Sequence, residues 1–317
     1  MTSRERVKRA IHFKNPDKMP IYYFNKDIEL SDIIAVSYGG ASSFVPTEPG
    51  QTEWGFTWER VDDTMGQPKT CPISDWSLLD SFVPPDGTLP ERFVPIANAR
   101  KQNPDIYLIA GMGITGFNLV TFLRGFEDSL MDFYEEPEKM DQLCDMVFSF
   151  EEDLIRGFAK AGADAVAFYD DWGTQNSLMI SPHQWRELFL PRYKRQFDLI
   201  HELGMDVFFH SCGYVYDIIP DLIDIGADML NLNQLDLFGV ERIGKDFAGK
   251  VCFVCPVDHQ TTAIRGTREE IFDYVHRMKN SLDTEKGGFI ANIEEYSSVG
   301  MSDENYRALC DAFESVR

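Results

Sequence analysis

A histidine and a cysteine two positions apart, in His210-Ser211-Cys212, form the pair in this chain best suited to chemistry. At the end of an extended strand, residues i and i+2 project to the same side. One imidazole nitrogen and one thiolate sulfur suit a borderline-soft cation, and zinc is the first candidate. Two ligands leave a site incomplete; Glu295, Glu294 or Cys255 can supply a third. The bland alternative is a buried cysteine beside a hydrogen-bonded histidine, with no metal at either.

Other reactive side chains fall in similar short segments. Asp170-Asp171-Trp172-Gly173-Thr174-Gln175 offers two carboxylates that can bind substrate, exchange a proton or orient a metal ligand. Asp171 can equally cap a following helix while Asp170 sits in solvent. Asn231-Leu232-Asn233-Gln234 supplies amides, and Cys255-Pro256-Val257-Asp258-His259-Gln260 adds Asp258 and His259. Trp54, Trp58, Trp172 and Tyr214 can line an aromatic pocket or pack in a core. Asp170, Asp171, Asp258 and His259 stay open between acid–base work, substrate binding and a merely structural part. Asp170, Trp172, Gln175, Tyr214, Asn233 and His259 are the candidates for binding a substrate. Neither a Ser-His-Asp arrangement nor a phosphate-cradling loop is legible.

Each of these segments follows a short apolar run. Residues 19–24, 106–110, 165–169, 206–210, 229–233, 251–255 and 288–293 read as strands. Amphipathic stretches at 137–160, 182–203, 216–225, 267–282 and 303–314 read as helices, with Ser181 as a cap for the second. Near-continuous apolar strands alternating with helices imply a parallel sheet covered on both faces. No Gly-x-Gly-x-x-Gly follows the first strand, which argues against a dinucleotide fold. The expectation is a single (β/α)8 TIM barrel over residues 1–317, with an N-terminal helix and an elaborated loop region before residue 100. The eighth strand must lie between residues 30 and 100. Chemistry in such a barrel sits at the carboxyl ends of the strands, where these segments fall.

Composition narrows the partners. Acidic residues outnumber basic ones 52 to 30 in 317 residues, a formal charge of −22. That field repels nucleic acid, and no basic run addresses an anionic membrane. No apolar run approaches the ~18 residues of a membrane span, and the charged opening residues read as a helix rather than a targeting segment. The six cysteines are scattered. The expectation is a cytoplasmic protein with reduced thiols, in which a cysteine beside a histidine suggests metal or catalysis.

A wider combination of residues points to a family. It comprises Arg4-Glu5-Arg6-Val7, Asn15-Pro16-Asp17-Lys18-Met19-Pro20, the Asp170–Gln175 segment, Ile180-Ser181-Pro182, His210-Ser211-Cys212-Gly213, Lys286-Gly287-Gly288-Phe289-Ile290 and Glu304-Asn305. On these residues the chain resembles, nearly end to end, the uroporphyrinogen decarboxylase superfamily, and within it the zinc-dependent cobalamin methyltransferase branch. The decarboxylases carry Arg-Gln-Ala-Gly-Arg-Tyr after the first strand, whose arginines hold substrate carboxylates. Here that stretch is Tyr22-Tyr23-Phe24-Asn25-Lys26-Asp27, without arginine, and decarboxylation is expected to be absent.

The methyltransferases carry His-x-Cys and a later cysteine after the Gly-Gly strand. His210 and Cys212 match the first two, and counting from Gly287-Gly288 to Glu304-Asn305 puts Glu295 at the last. The resemblance thus implies zinc held by His210, Cys212 and Glu295, with Cys255 as rival or fourth ligand. A carboxylate in place of a thiolate leaves the metal a stronger Lewis acid. With the 54–58 and 170–175 segments, this implies the O-demethylating branch. There a methyl group passes from a small methylated donor, foremost a methoxylated aromatic, to a corrinoid (cobalamin) carried by a separate protein. Asp171 or Asp258 would relay a proton to the departing oxygen. The alternatives are methyl transfer from a methylcorrinoid to a thiol or tetrahydrofolate, porphyrinogen decarboxylation, and a non-catalytic ligand-binding member. A homodimer is the generic expectation for assembly.

Overall fold

The computed structural model describes residues 1–60 and 66–317. Eight parallel strands form its centre: β1 (Ile21–Tyr23), β2 (Ile33–Ser37), β3 (Tyr107–Ile114), β4 (Ala165–Tyr169), β5 (Asp206–Ser211), β6 (Met229–Leu232), β7 (Cys252–Cys255) and β8 (Phe289–Ile293). From β2 onward each strand pairs with the next, and β8 pairs with β1. Ser31 and Asp32 close the remaining seam. The Asp32 N–H donates to the Ile21 carbonyl at 2.9 Å, the Ile21 N–H donates to Asp32 Oδ2 at 3.0 Å, and the Tyr23 N–H donates to Ser31 Oγ at 3.0 Å. Arg6 and Arg317, each 2.7 Å from the Asp32 carboxylate, hold that buried group in place. The result is the (β/α)8 TIM barrel expected from the sequence.

Strand positions follow the apolar runs closely, and the missing eighth is Ile33-Ile34-Ala35-Val36-Ser37. The opening helix, Ser3–Ile11, buries Val7, Ala10 and Ile11 in the cluster that fills the barrel interior. Arg4 and Lys8 on its flank reach Asp164 at 2.8 and 3.0 Å, so this part of the family pattern serves closure of the barrel rather than chemistry. The 182–203 stretch is two helices, Pro182–Leu188 and Leu190–Glu202. Pro191 has no N–H for the Glu187 carbonyl one turn back, which breaks the ladder there. Ser181 caps the first, its hydroxyl accepting the Gln184 N–H.

The connection from β2 to β3 is the elaborated region. It holds a small hairpin, Trp58–Glu59 against Gln67–Pro68, and residues 61–65 at its turn lie outside the described residues. Trp54 is buried edge-on to Phe150 at 5.1 Å and stacked on Phe82 at 6.4 Å, while a Glu53–Arg92 ion pair ties the loop down. Trp58 packs on Phe122. These tryptophans serve the outer helical layer.

At the amino end of the barrel, His12 Nε2 sits 3.0 Å from Asp206 and His201 Nε2 sits 2.7 Å from Asp228. In each case the hydrogen bond to the aspartate raises the imidazole pKa above its ordinary 6.5, although burial works against it. A raised folded-state value stabilises the protein fully below pH 6.5, and that contribution fades as pH climbs through the folded-state pKa. Thermal unfolding of a His12→Asn, His201→Asn double variant should therefore fall on the order of 1–3 °C below the parent at pH 6, these pairs being partly exposed. The two melting curves should converge by pH 9. A gap that is constant with pH would show that packing, not charge, is at work.

Candidate active site at the carboxyl ends of the strands

Alternation along each strand decides which side chains enter the barrel. On β5, Val207 and Phe209 join the outer core while Phe208 faces inward, so His210 and then Cys212 also face inward. On β4, Ala165, Ala167 and Tyr169 face inward, and Asp171 continues that row. On β8 the inward row is Ile290, Asn292 and Glu294; on β6 it is Met229, Asn231 and Asn233. These rows meet in a cavity of about 670 Å3 at the barrel mouth, with Tyr22, Phe24, Tyr169, Phe208 and Tyr296 as its aromatic walls.

Asp171, His210 and Cys212 bring one ligand atom each within 4.8 Å of one another. His210 Nε2 lies 3.4 Å from Asp171 Oδ1 and 3.5 Å from Cys212 Sγ. Ligand bonds of about 2.0–2.3 Å in a tetrahedral array place donor atoms about 3.3–3.8 Å apart, so the set fits zinc. The far side of the imidazole is fixed as metal-binding histidines require: Nδ1–H donates to Asn231 Oδ1 at 2.5 Å, and the Asn231 amide donates to the Val254 carbonyl. This leaves Nε2 facing the carboxylate and the sulfur.

The two loops that carry these candidate ligands are clasped together. The Gly173 N–H donates to the Cys212 carbonyl at 3.1 Å, the Tyr214 N–H to the Thr174 carbonyl at 2.7 Å, and the Trp172 N–H to Ser211 Oγ at 3.0 Å. A Cβ on Gly173 would fall 2.4 Å from the Gly213 carbonyl carbon, and one on Gly213 would fall 2.1 Å from the Gly173 oxygen. Only paired glycines allow this approach, and Gly213 also has φ +78°. The Cys212 N–H then donates to Asp171 Oδ1 at 2.8 Å, tying one ligand's backbone to the other's side chain.

Several expected residues sit elsewhere. Glu295, which register pointed to as a ligand, lies on the rim; its carboxylate accepts the N–H and hydroxyl of Ser297, both at 2.9 Å. The group beside His210 and Cys212 is Asp171, one residue off the outward row. Cys255 faces the outer core, burial pushes its thiol up to about 12, and it is no partner for the pair. Asp170 is fully buried outside the barrel, where it accepts the Phe117 and Asn118 N–H groups at 2.9 Å and the Tyr193 hydroxyl. It caps the helix Gly116–Arg124 instead of meeting substrate. Trp172 packs on Phe117 and Phe189 with ring centroids 4.4 and 4.6 Å away, Gln175 is exposed, and Tyr214 packs on Phe238. Asp258 is buried and accepts the Gln260 and Thr261 N–H groups, shaping its own loop rather than facing the cavity. Asn233 and His259 do line the cavity.

Electrostatics follow the geometry. Burial acts to raise the Asp171 pKa, but hydrogen bonding with His210 and the Cys212 N–H holds it below the usual range. For His210, burial is outweighed by Cys212 and Asp171, and the pKa lies well above 6.5. Burial raises Glu294, which accepts the Tyr296 hydroxyl at 2.7 Å, and lowers His259. Eight buried side-chain polar atoms lack a hydrogen-bond partner among the described residues, and four belong to residues lining this cavity: Tyr22, Asn233, His259 and Asn292. Such atoms are costly unless a ligand or water meets them.

Residues 64–316 match the family model for uroporphyrinogen decarboxylase (URO-D). The chain belongs to the URO-D family. A protein named uroporphyrinogen decarboxylase from Chlorobaculum parvum is 23% identical over 225 residues, which cover 67% of this chain and 61% of that protein. One of the same name from Dichelobacter nodosus is 24% identical over 150 residues, 45% of this chain and 42% of that protein. The chain thus spans less than two thirds of the length of these curated relatives. A solved methyltransferase structure from Methanosarcina mazei is similar in fold over 99% of both chains, with a TM-score of 0.72 and 15% identity. No helix among the described residues is long and apolar enough to cross a membrane.

Neighbouring aspartates should separate cleanly on substitution. Asp170→Ala, which strands three buried donors, should cost about 2–4 kcal/mol in urea unfolding of the metal-free protein. Asp171→Ala should cost under about 1 kcal/mol there but weaken zinc binding at least tenfold in a competition titration. The reverse pattern would exchange their roles.

Proposed function

We propose that this URO-D family protein is a zinc-dependent methyltransferase, which moves a methyl group from a small methylated oxygen donor, foremost a methoxylated aromatic, to a corrinoid carried by a partner protein. The observation that carries this reading is the Asp171–His210–Cys212 set inside a cavity with aromatic walls. Zinc held there would act as a Lewis acid toward the oxygen that leaves the methyl carbon. The chain's own residues do the rest. Asn231 holds the His210 imidazole in one tautomer, and the Gly173–Gly213 clasp fixes the spacing of Asp171 and Cys212. Tyr22, Tyr169, Phe208 and Tyr296 give an aromatic donor flat surfaces to lie against and keep water from the reacting bond. Phe24 and Val299, at 40% and 49% exposure on the rim, leave the mouth open to the acceptor protein.

Porphyrinogen decarboxylation, the activity for which the curated relatives are named, fits the cavity poorly. No lysine or arginine is among its described lining residues, while Asp171, Glu294 and Glu295 are. A substrate bearing many carboxylates would meet these like charges and find no guanidinium or ammonium group in the described lining to hold it.

The chain purified with zinc should carry one metal ion per molecule by elemental analysis. It should transfer methyl groups from a methoxylated aromatic to reduced corrinoid, with rapid loss of the donor's methyl in a zinc-dependent manner. Cys212→Ser should abolish zinc retention and lower the transfer rate at least a hundredfold, about 2.7 kcal/mol in the barrier. Carbon dioxide release from uroporphyrinogen without metal would overturn the reading; fast zinc-dependent demethylation of methylcobalamin by a thiol would redirect it.

A further inference from the structure

The walls of the cavity carry a charge pattern that bears on which methyl donor enters. Its described lining residues include the carboxylates of Asp171, Glu294 and Glu295 and no lysine or arginine. Asp171 is turned toward His210, and the Glu295 carboxylate is engaged by Ser297. Glu294 is different. It continues the inward row of β8, its carboxylate accepts the Tyr296 hydroxyl as its one side-chain hydrogen bond among the described residues, and that tyrosine's ring stacks on His259 at 4.9 Å. Two of the unmet buried atoms of residues in the same lining, Asn233 Oδ1 and Asn292 Oδ1, are acceptors; Tyr22 Oη and His259 Nδ1 can each donate or accept. Outside the Asp171–His210–Cys212 set, the described lining is thus a wall rich in acceptors and aromatic rings, without lysine or arginine.

We infer that the methyl donor is an uncharged methoxylated phenol, whose hydroxyl hydrogen is taken by an acceptor of this wall, and that Glu294 is the residue that excludes donors bearing a carboxylate. An aromatic ring seated against Tyr22, Tyr169 and Tyr296, with its methoxy oxygen toward the zinc, finds no lysine or arginine in the described lining to meet an acid substituent on its far side. A buried anion without a partner is among the least favourable groups to place in a protein, and a like charge nearby worsens it. A phenol hydroxyl carries no such penalty and satisfies an acceptor that otherwise stays unmet. The inference rests on the reading of the site as one for a methylated aromatic.

Direct binding tests it without relying on turnover. Isothermal titration of the zinc-loaded full chain with 2-methoxyphenol and with 4-hydroxy-3-methoxybenzoate should show the uncharged compound bound at least tenfold tighter. In Glu294→Gln the gap should shrink fivefold or more, chiefly through a gain for the benzoate, with zinc content and melting temperature unchanged as controls for folding. Equal or tighter binding of the benzoate by the parent protein overturns the inference. So does failure of both compounds to bind, or a gap untouched in Glu294→Gln. Tight, selective binding of 2-methoxyphenol without methyl transfer to a corrinoid would uphold the selectivity while removing the methyltransferase reading, so the two fail separately.

Discussion

Successive side chains of a strand point to opposite faces, and a closed barrel turns that alternation into a choice between two surroundings. One row enters an interior that opens at the carboxyl ends; the other meets the helices. In this protein the choice is made afresh on β4, β5, β6 and β8, and the inward rows end in Asp171, Cys212, Asn233 and Glu294. The site is the place where these four rows run out. A shift of one residue on any strand would replace its contribution with an apolar or a structural group.

The neighbours Asp170 and Asp171 show how sharply this works. The first is buried among Phe117, Tyr193 and the start of the helix Gly116–Arg124, and burial lifts its pKa far above that of an ordinary aspartate despite the hydrogen bonds it accepts. The second lies against His210 and the Cys212 backbone in the cavity. One carboxyl anchors the outer layer on which the other's loop is built. The close approach of Gly173 and Gly213 couples the Asp171 loop to the Cys212 loop, so the spacing of the two side chains is set by backbone contact.

Much of this was legible in the residues. Apolar runs located seven strands within a few positions, and the His-x-Cys spacing located two of the three side chains that meet in the candidate metal site. The eighth strand was hidden because Ile33–Ser37 follows a short turn and precedes a long irregular connection instead of a helix. Counting along the family pattern points to Glu295 as the partner of His210 and Cys212, whereas the pleat brings the Asp171 carboxylate beside them. With His210 fixed as inward, the alternation through Ala165, Ala167 and Tyr169 selects Asp171, and that through Ile290 and Asn292 selects Glu294. The same parity sends Cys255 outward with Phe253. Asp258 could not be placed this way: its loop leaves the strand at Pro256, and its carboxylate is spent on the Gln260 and Thr261 N–H groups, a local turn that periodicity does not foretell.

The proposed chemistry depends on which side chains surround a bound zinc ion. Zinc K-edge X-ray absorption of the zinc-loaded chain measures this directly. One sulfur at about 2.3 Å with nitrogen and oxygen neighbours at about 2.0–2.2 Å is the expected first shell, with an oxygen contribution lost in Asp171→Ala. A shell with two sulfurs, or one unchanged in Asp171→Ala, would mean that the inward rows do not assemble this site.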